Sequence, residues 1–469
     1  MWKNRQPRSQ LIFARPLSCL RNQSPYGIFQ LMHGEITIIN ARLFAPDTAE
    51  GFTADGFISI AAGRISALGP MAGYVPSPAA EVIDARGDLV MPGLVNGHNH
   101  AAMTLFRGMA DDLPLMDWLT QHIFPAEARF VTPEMVYWCT RLAAAEMIMS
   151  GTTTVADAYF YEDEAARALV ESGMRAVAAQ GVIDFPAPGV PDPAENVAAA
   201  ARFIERWQGH ELLVPAVFAH SPYTCSSRTL VAAKELARAR QVPFFIHLAE
   251  TGAERALLAE KWQGSPTSYL HSLGLLDSQT VCVHAVWLDE HDIALLAASR
   301  AAVVTCPQSN MKLAAGIAPV AELLAAGIRV GLGTDGCASN NDLDLFSEMD
   351  TCAKLHKVQA LNPAAVKARE VLRMATVQGA GLPGFAGGGV LAAGMPADVI
   401  LVRLDQPHLT PFYAVDNLVY AASGADVQSV IINGRLIMAD RKILTFDVAE
   451  AMEVVRRMAA EVGGIRHPL

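Results

Sequence analysis

Eight short apolar runs recur through the middle of the chain, each followed by an interval of helical character. In order they are GLVNGHNH, TTTVADAY, MRAVAAQGVIDF, LLVPAVFAH, VPFFIHLAE, TVCVHAVWL, AAVVTCPQSN and IRVGLGTDG. Intervals such as PEMVYWCTRLAAAEMIMSG, DEAARALVESGM, RTLVAAKELARARQ and APVAELLAAG carry helical periodicity, and Gly or Gln closes several of them. Strands that alternate with helices in this way pair in parallel through right-handed crossovers. The spacing therefore predicts an α/β fold, a (β/α)8 barrel of the TIM type over residues 93–384 with an outer ring of helices.

Polar residues fall at consistent places within this pattern. His98 and His100, Asp157, Asp184, His220, His247 and Glu250, His284, Asn310 and Asp335 all stand at or just past the end of an apolar run. In a parallel barrel these are the C-terminal strand ends, where active sites are built.

The flanks read differently. Ile36 to Val90 contains short alternating runs (ITIINARLF, GFISIAAGRISALG, EVIDARGDLVMPG), and the same alternation returns near the C-terminus in ADVILVRLD and VQSVIINGRLIMADRKIL, with an Asn433-Gly434 turn signal. Residues 32–92 and 385–469 are expected to form a small composite β-sandwich domain built from both chain ends. The first 31 residues hold Lys3, Arg5, Arg8, Arg15 and Arg21 and no acid. They read as a disordered or non-native extension, since the strand pattern begins at once from Met32.

Composition narrows the partners. A net charge of -11 leaves no basic surface with which to neutralise phosphates, so a small molecule is expected rather than nucleic acid. No apolar stretch reaches the roughly eighteen residues that a membrane helix needs. The seven cysteines are scattered and never spaced CxxC, which argues against a disulfide framework and a zinc-thiolate site, and for reduced thiols in the cytoplasm.

The chemistry is expected at the strand ends. A lone buried histidine is more often a hydrogen-bonded core residue than a ligand, but the pair His98 and His100 points to one side of an extended segment, where a single ion can take both. His247 and Asp335 emerge from buried runs, and a carboxylate there needs a cation or strong donors. Three imidazoles and a carboxylate suit one divalent metal ion, zinc or iron(II). Glu250, three residues past His247, is placed to accept a proton from a water activated by that ion and to protonate a leaving group. His284 is a candidate to stabilise the same water or an oxyanion, and His220 to address the substrate.

These residues sit in motifs that resemble the amidohydrolase superfamily, in particular the branch of 5'-methylthioadenosine/S-adenosylhomocysteine deaminases, which is also similar to the triazine chlorohydrolases. The motifs are MPGLVNGHNHAAMTLFRGMADDLPLMDWL, HSPYTCS, HLAET, VHAVWL and GTDGCASNNDLDLF, in that order, and the resemblance extends from Met32 onward. It implies metal ligands at His98, His100, His247 and Asp335, a proton shuttle at Glu250 and a water-orienting His284. It further implies that Trp118 and Glu127 lie near a ribose, His220 on a purine nitrogen and Ser339 near the substrate; members of that branch are often homo-oligomers, a state the residues themselves leave open. No lysine ends the fourth barrel strand to bridge two metals through a carbamate, so one metal per chain is expected. Relatives that grip the carboxylate of S-adenosylhomocysteine place arginines after the third barrel strand; here stand Gln180 and the arginine-free GVIDFPAPGVPDPAEN. Methylthioadenosine or adenosine is therefore expected to be preferred. The motifs leave open another heterocycle (a triazine, a pterin or cytosine), or a catalytically silent binding protein of the same fold.

Overall fold

The computed structural model describes residues 34–385 and 387–463, and the basic stretch 1–31 lies outside them. Five strands form first: β1 (Glu35–Phe44), β2 (Phe52–Ala61), β3 (Arg64–Pro70), β4 (Ala80–Asp84) and β5 (Leu89–Pro92). The barrel strands follow as β6 (Leu94–Asn99), β7 (Thr152–Tyr159), β8 (Arg175–Val182), β9 (Leu213–Ala219), β10 (Phe244–Leu248), β11 (Thr280–His284), β12 (Ala302–Thr305) and β13 (Val330–Leu332). Four more, β14 (Val399–Val402), β15 (Val427–Ile432), β16 (Arg435–Ala439) and β17 (Lys442–Ile443), return to the first group.

The eight runs read from the sequence correspond to β6 through β13, hydrogen-bonded in sequence order as one parallel sheet. Its interior is filled by alternate residues of successive strands, among them Ala156, Val177, Phe218, Phe245, Val283 and Val304, with Leu382 packed among them. The crossover helices end as the residues dictate. Thr132 caps Pro133–Met149 by accepting from Met135 N, and Gly173 and Gln241 close Glu162–Ser172 and Ser227–Arg240 in the left-handed conformation.

The two chain ends do form one assembly, joined by hydrogen bonds between β5 and β14 into a single nine-stranded mixed sheet. Two half-sheets thus meet edge to edge, because an exposed edge on each would leave its N–H and C=O groups unpaired. Asn433 (φ 50°) and Gly434 (φ 71°) make the two-residue turn between β15 and β16 that their sequence signals. The helix Val448–Gly463 takes no part in this sheet; Val455, Met458 and Ala459 pack with residues of the first crossover helix, including Met135, Val136 and Cys139.

The barrel closes where β13 returns to β6. Asp335 N donates to His98 O at 3.1 Å. The buried Asn96 side chain accepts from Thr334 N (3.1 Å) and His98 N (3.3 Å) and donates to Thr334 Oγ1 (2.7 Å). A Cβ on Gly333 would lie 2.9 Å from His98 N, so only glycine lets the two segments approach this closely. Asn96→Ala should strand two buried N–H groups and destabilise the protein by about 2–4 kcal/mol in denaturant titrations; a loss below about 0.5 kcal/mol would contradict this account of the closure.

Candidate active site

The end of β6 presents His98 and His100 to one side, with ring centroids 4.6 Å apart, as the period of an extended strand requires. His247 arrives from β10 with its Nε2 3.3 Å from His98 Nε2. Asp335, three residues past β13, places Oδ1 3.5 Å from both His98 Nε2 and His100 Nε2. A small divalent ion with ~2.1 Å bonds at roughly tetrahedral angles needs donors about 3.4 Å apart, so these spacings fit one such ion. The donor chemistry fits as well. Burial, aided by the charge of His100, pulls His98 down to about 3 against the upward pull of Asp335, and burial holds His247 well below its ordinary value. Neutral imidazoles have a lone pair to offer.

Two of the four candidate ligands, His100 and Asp335, are oriented from behind. His100 Nδ1 donates to Ala158 O at 2.6 Å, which fixes the tautomer and leaves Nε2 for a metal. Asp335 Oδ2 accepts from Ser309 Oγ (2.7 Å) and Ser339 Oγ (2.8 Å), and Oδ1 from Gly336 N (2.8 Å). Burial acts upward on Asp335, but the His98 hydrogen bond and the charges of His100 and His284 hold its carboxyl well below the usual range.

Glu250 and His284 stand beside this cage. His284 Nε2 lies 3.9 Å from Glu250 Oε2, and its Nδ1 donates to Asn310 Oδ1 at 3.0 Å. The rings of His98, His247 and His284 are close enough to share an ion, so His284 borders the cage rather than standing apart from it. His284 (φ 70°) and Asp335 (φ 60°) both hold left-handed backbone, a strain that clusters at functional sites. Burial, followed by the charge of Asp335, raises Glu250 to about 8. A carboxyl near neutrality passes protons in both directions.

His100, His247, Glu250, His284 and Asp335 line the floor of a cleft of about 820 Å³, a volume that includes the solvent at its mouth. One wall is the helical stretch 115–130, widened to a π-type turn at Trp118–Ile123. Leu115, Trp118, Leu119, Ile123, Phe124 and Glu127 line the cleft at helical spacing. Glu127 is buried among them, accepts from Tyr159 Oη at 2.7 Å, and is raised by burial to about 7 despite that bond. His220 also lines the cleft, with Nδ1 3.0 Å from Thr224 Oγ1, and burial pulls it down to about 3. Ser339 lines it too, its hydroxyl engaged by Asp335.

Gln180 is the exception. It does not line the cleft; its Oε1 accepts from Glu162 N at 3.2 Å in the layer between barrel and helix. Val177 and Ala179 point into the barrel, so the period of two turns Gln180 outward and gives Gly181 the cleft position. Sequence reasoning missed Ser309, which orients Asp335, and Tyr159 and Tyr223 in the cleft wall. Ser309 was within reach of the strand-end rule, three residues after Cys306 in the seventh run.

The amidohydrolase family model matches residues 89–437. A 5-methylthioadenosine/S-adenosylhomocysteine deaminase of Syntrophus aciditrophicus is 49% identical over 87% of this chain and 93% of its own. A 5'-deoxyadenosine deaminase of Methanosarcina mazei is 43% identical over 91% of this chain and 98% of its own. A crystal structure of an adenosine deaminase from Xanthomonas campestris with bound zinc superposes with a TM-score of 0.89 at 36% identity, covering 92% of this chain and 99% of that one. With a family match across most of the chain and relatives this similar over nearly their full length, the protein belongs to the amidohydrolase family.

Proposed function

We propose that this protein is a metal-dependent hydrolytic deaminase of adenine nucleosides with a small or apolar 5' group, such as 5'-methylthioadenosine or adenosine, giving the inosine analogue and ammonia. The observation that carries the reading is the cleft itself, in which Glu250 and His284 flank a metal-type donor set on the floor while a buried carboxylate, Glu127, sits in an otherwise apolar wall. The names of the relatives point to the same chemistry.

His98, His100, His247 and Asp335 would hold one divalent ion, zinc for preference, and when bound it supplies Lewis acidity that lowers the pKa of water. Glu250 takes the proton of the attacking water and returns it to the amino nitrogen as the C–N bond breaks. His284, steadied by Asn310, hydrogen-bonds the incoming oxygen. His220 keeps Nε2 for a purine nitrogen, since Nδ1 is taken by Thr224. Glu127 keeps Oε2 for ribose hydroxyls, since Oε1 is taken by Tyr159, and that carboxylate favours a nucleoside over a bare heterocycle. Trp118 and the apolar wall exclude water around the 5' group.

No arginine or lysine lines the cleft among the described residues, so an amino acid carboxylate at the 5' end finds no cationic partner there. Assayed by ammonia release, 5'-methylthioadenosine should show a kcat/KM at least about tenfold above that of S-adenosylhomocysteine, the worth of one charge-assisted hydrogen bond; the reverse order would refute the preference. Glu250→Gln should keep its metal and lose about 100- to 10,000-fold in kcat. Near-normal turnover would remove Glu250 from its role.

A further inference from the structure

Four residues beyond Glu250 stands a second buried carboxylate, Glu254, only 2% exposed and outside the cleft lining. Its Oε2 accepts from Ala249 N at 2.9 Å and its Oε1 from Glu250 N at 2.6 Å. These two N–H groups lie just past the end of β10, where Ala249 turns the chain with φ 51°. A residue with a Cβ keeps that conformation only when its neighbours hold it.

The opposite side of the turn is held as well. Ala249 O accepts from Val286 N (3.1 Å) and Trp287 N (2.9 Å), and Leu248 O accepts from Ala285 N (3.0 Å). These donors follow directly on His284. The turn that carries Glu250 is thus clamped between the Glu254 carboxylate and the loop that carries His284. Two adjacent N–H groups aimed at one side chain call for two acceptor oxygens. A carboxylate offers both, whereas an amide would set its own NH2 against one of the donors.

We infer that Glu254 is a positioning residue for the deamination, holding the backbone of Glu250 so that its carboxyl faces the reacting water. The inference rests on the reading of Glu250 as proton shuttle. It assigns Glu254 no contact with substrate, and its whole effect on turnover passes through Glu250.

A double-mutant cycle separates this from a structural role. Wild type, E254Q, E250Q and the double variant are compared for kcat, KM and metal content with 5'-methylthioadenosine as substrate. E254Q alone should lose about 10- to 100-fold in kcat, the range for a partner that orients a catalytic group, with KM within about threefold and metal content unchanged. In the E250Q background the same change should alter kcat by less than about twofold, because the group it aims is already gone. E254D, which keeps both oxygens a methylene short of the turn, should fall between wild type and E254Q. Equal losses in both backgrounds, an unchanged kcat, or loss of folded protein or metal in both E254Q and E254D would overturn the inference. An E250Q protein with wild-type kcat is a distinct failure, since it removes the shuttle reading first and this inference with it.

Discussion

The first and last strands of the barrel meet through the Asp335 N to His98 O bond and the Asn96 side chain, and the same contact sets two metal-type ligands against each other. His98 and His100 come from the start of the barrel, Asp335 from its end, and His247 from between. None of these can assemble the cage alone. Gly333 permits the approach, and Ser309, in the short helix after β12, and Ser339, in the loop after β13, then hold the Asp335 carboxylate in place. The contact that closes the barrel is thus also the one that brings His98 and Asp335 together.

Everything around the cage follows from its burial. Burial in the apolar barrel holds His98 and His247 well below their ordinary values, which suits them to a cation and ill suits them to acid. The same burial lifts Glu250 toward neutrality, where one carboxyl can serve as base and then as acid. Farther out, Leu119, Ile123 and Phe124 leave Glu127 as the polar group on that wall, so a ligand's hydroxyls and its apolar end have separate places to go. In the proposed reading the floor carries the reaction and the wall selects the substrate.

The barrel was legible in the sequence because each strand is a buried apolar run and each run ends in a polar residue that a core would not tolerate without purpose. His98, His100, His247, Glu250, His284 and Asp335 were found by that rule, and the structure brings them together. Gln180 was misplaced because both neighbours in AAQGV are small, so nothing in the sequence says which parity faces the cleft. What the stretch 115–130 covers was not legible, since its packing is decided by residues distant in the chain. Glu254 was invisible for a related reason: a carboxylate at the start of a short helix reads as solvated until the turn it caps is known. That the two chain ends join was legible from their shared alternation, whereas the pairing of β5 with β14 that joins them edge to edge is not encoded by alternation alone.

In the proposed reading a single metal ion sits among His98, His100, His247 and Asp335. Anomalous diffraction from crystals of the metal-loaded protein, collected at the absorption edge of the bound element, tests it directly. One peak per chain lying among those four side chains is the predicted result. Two peaks in the cleft, or one peak outside that set of ligands, would contradict it.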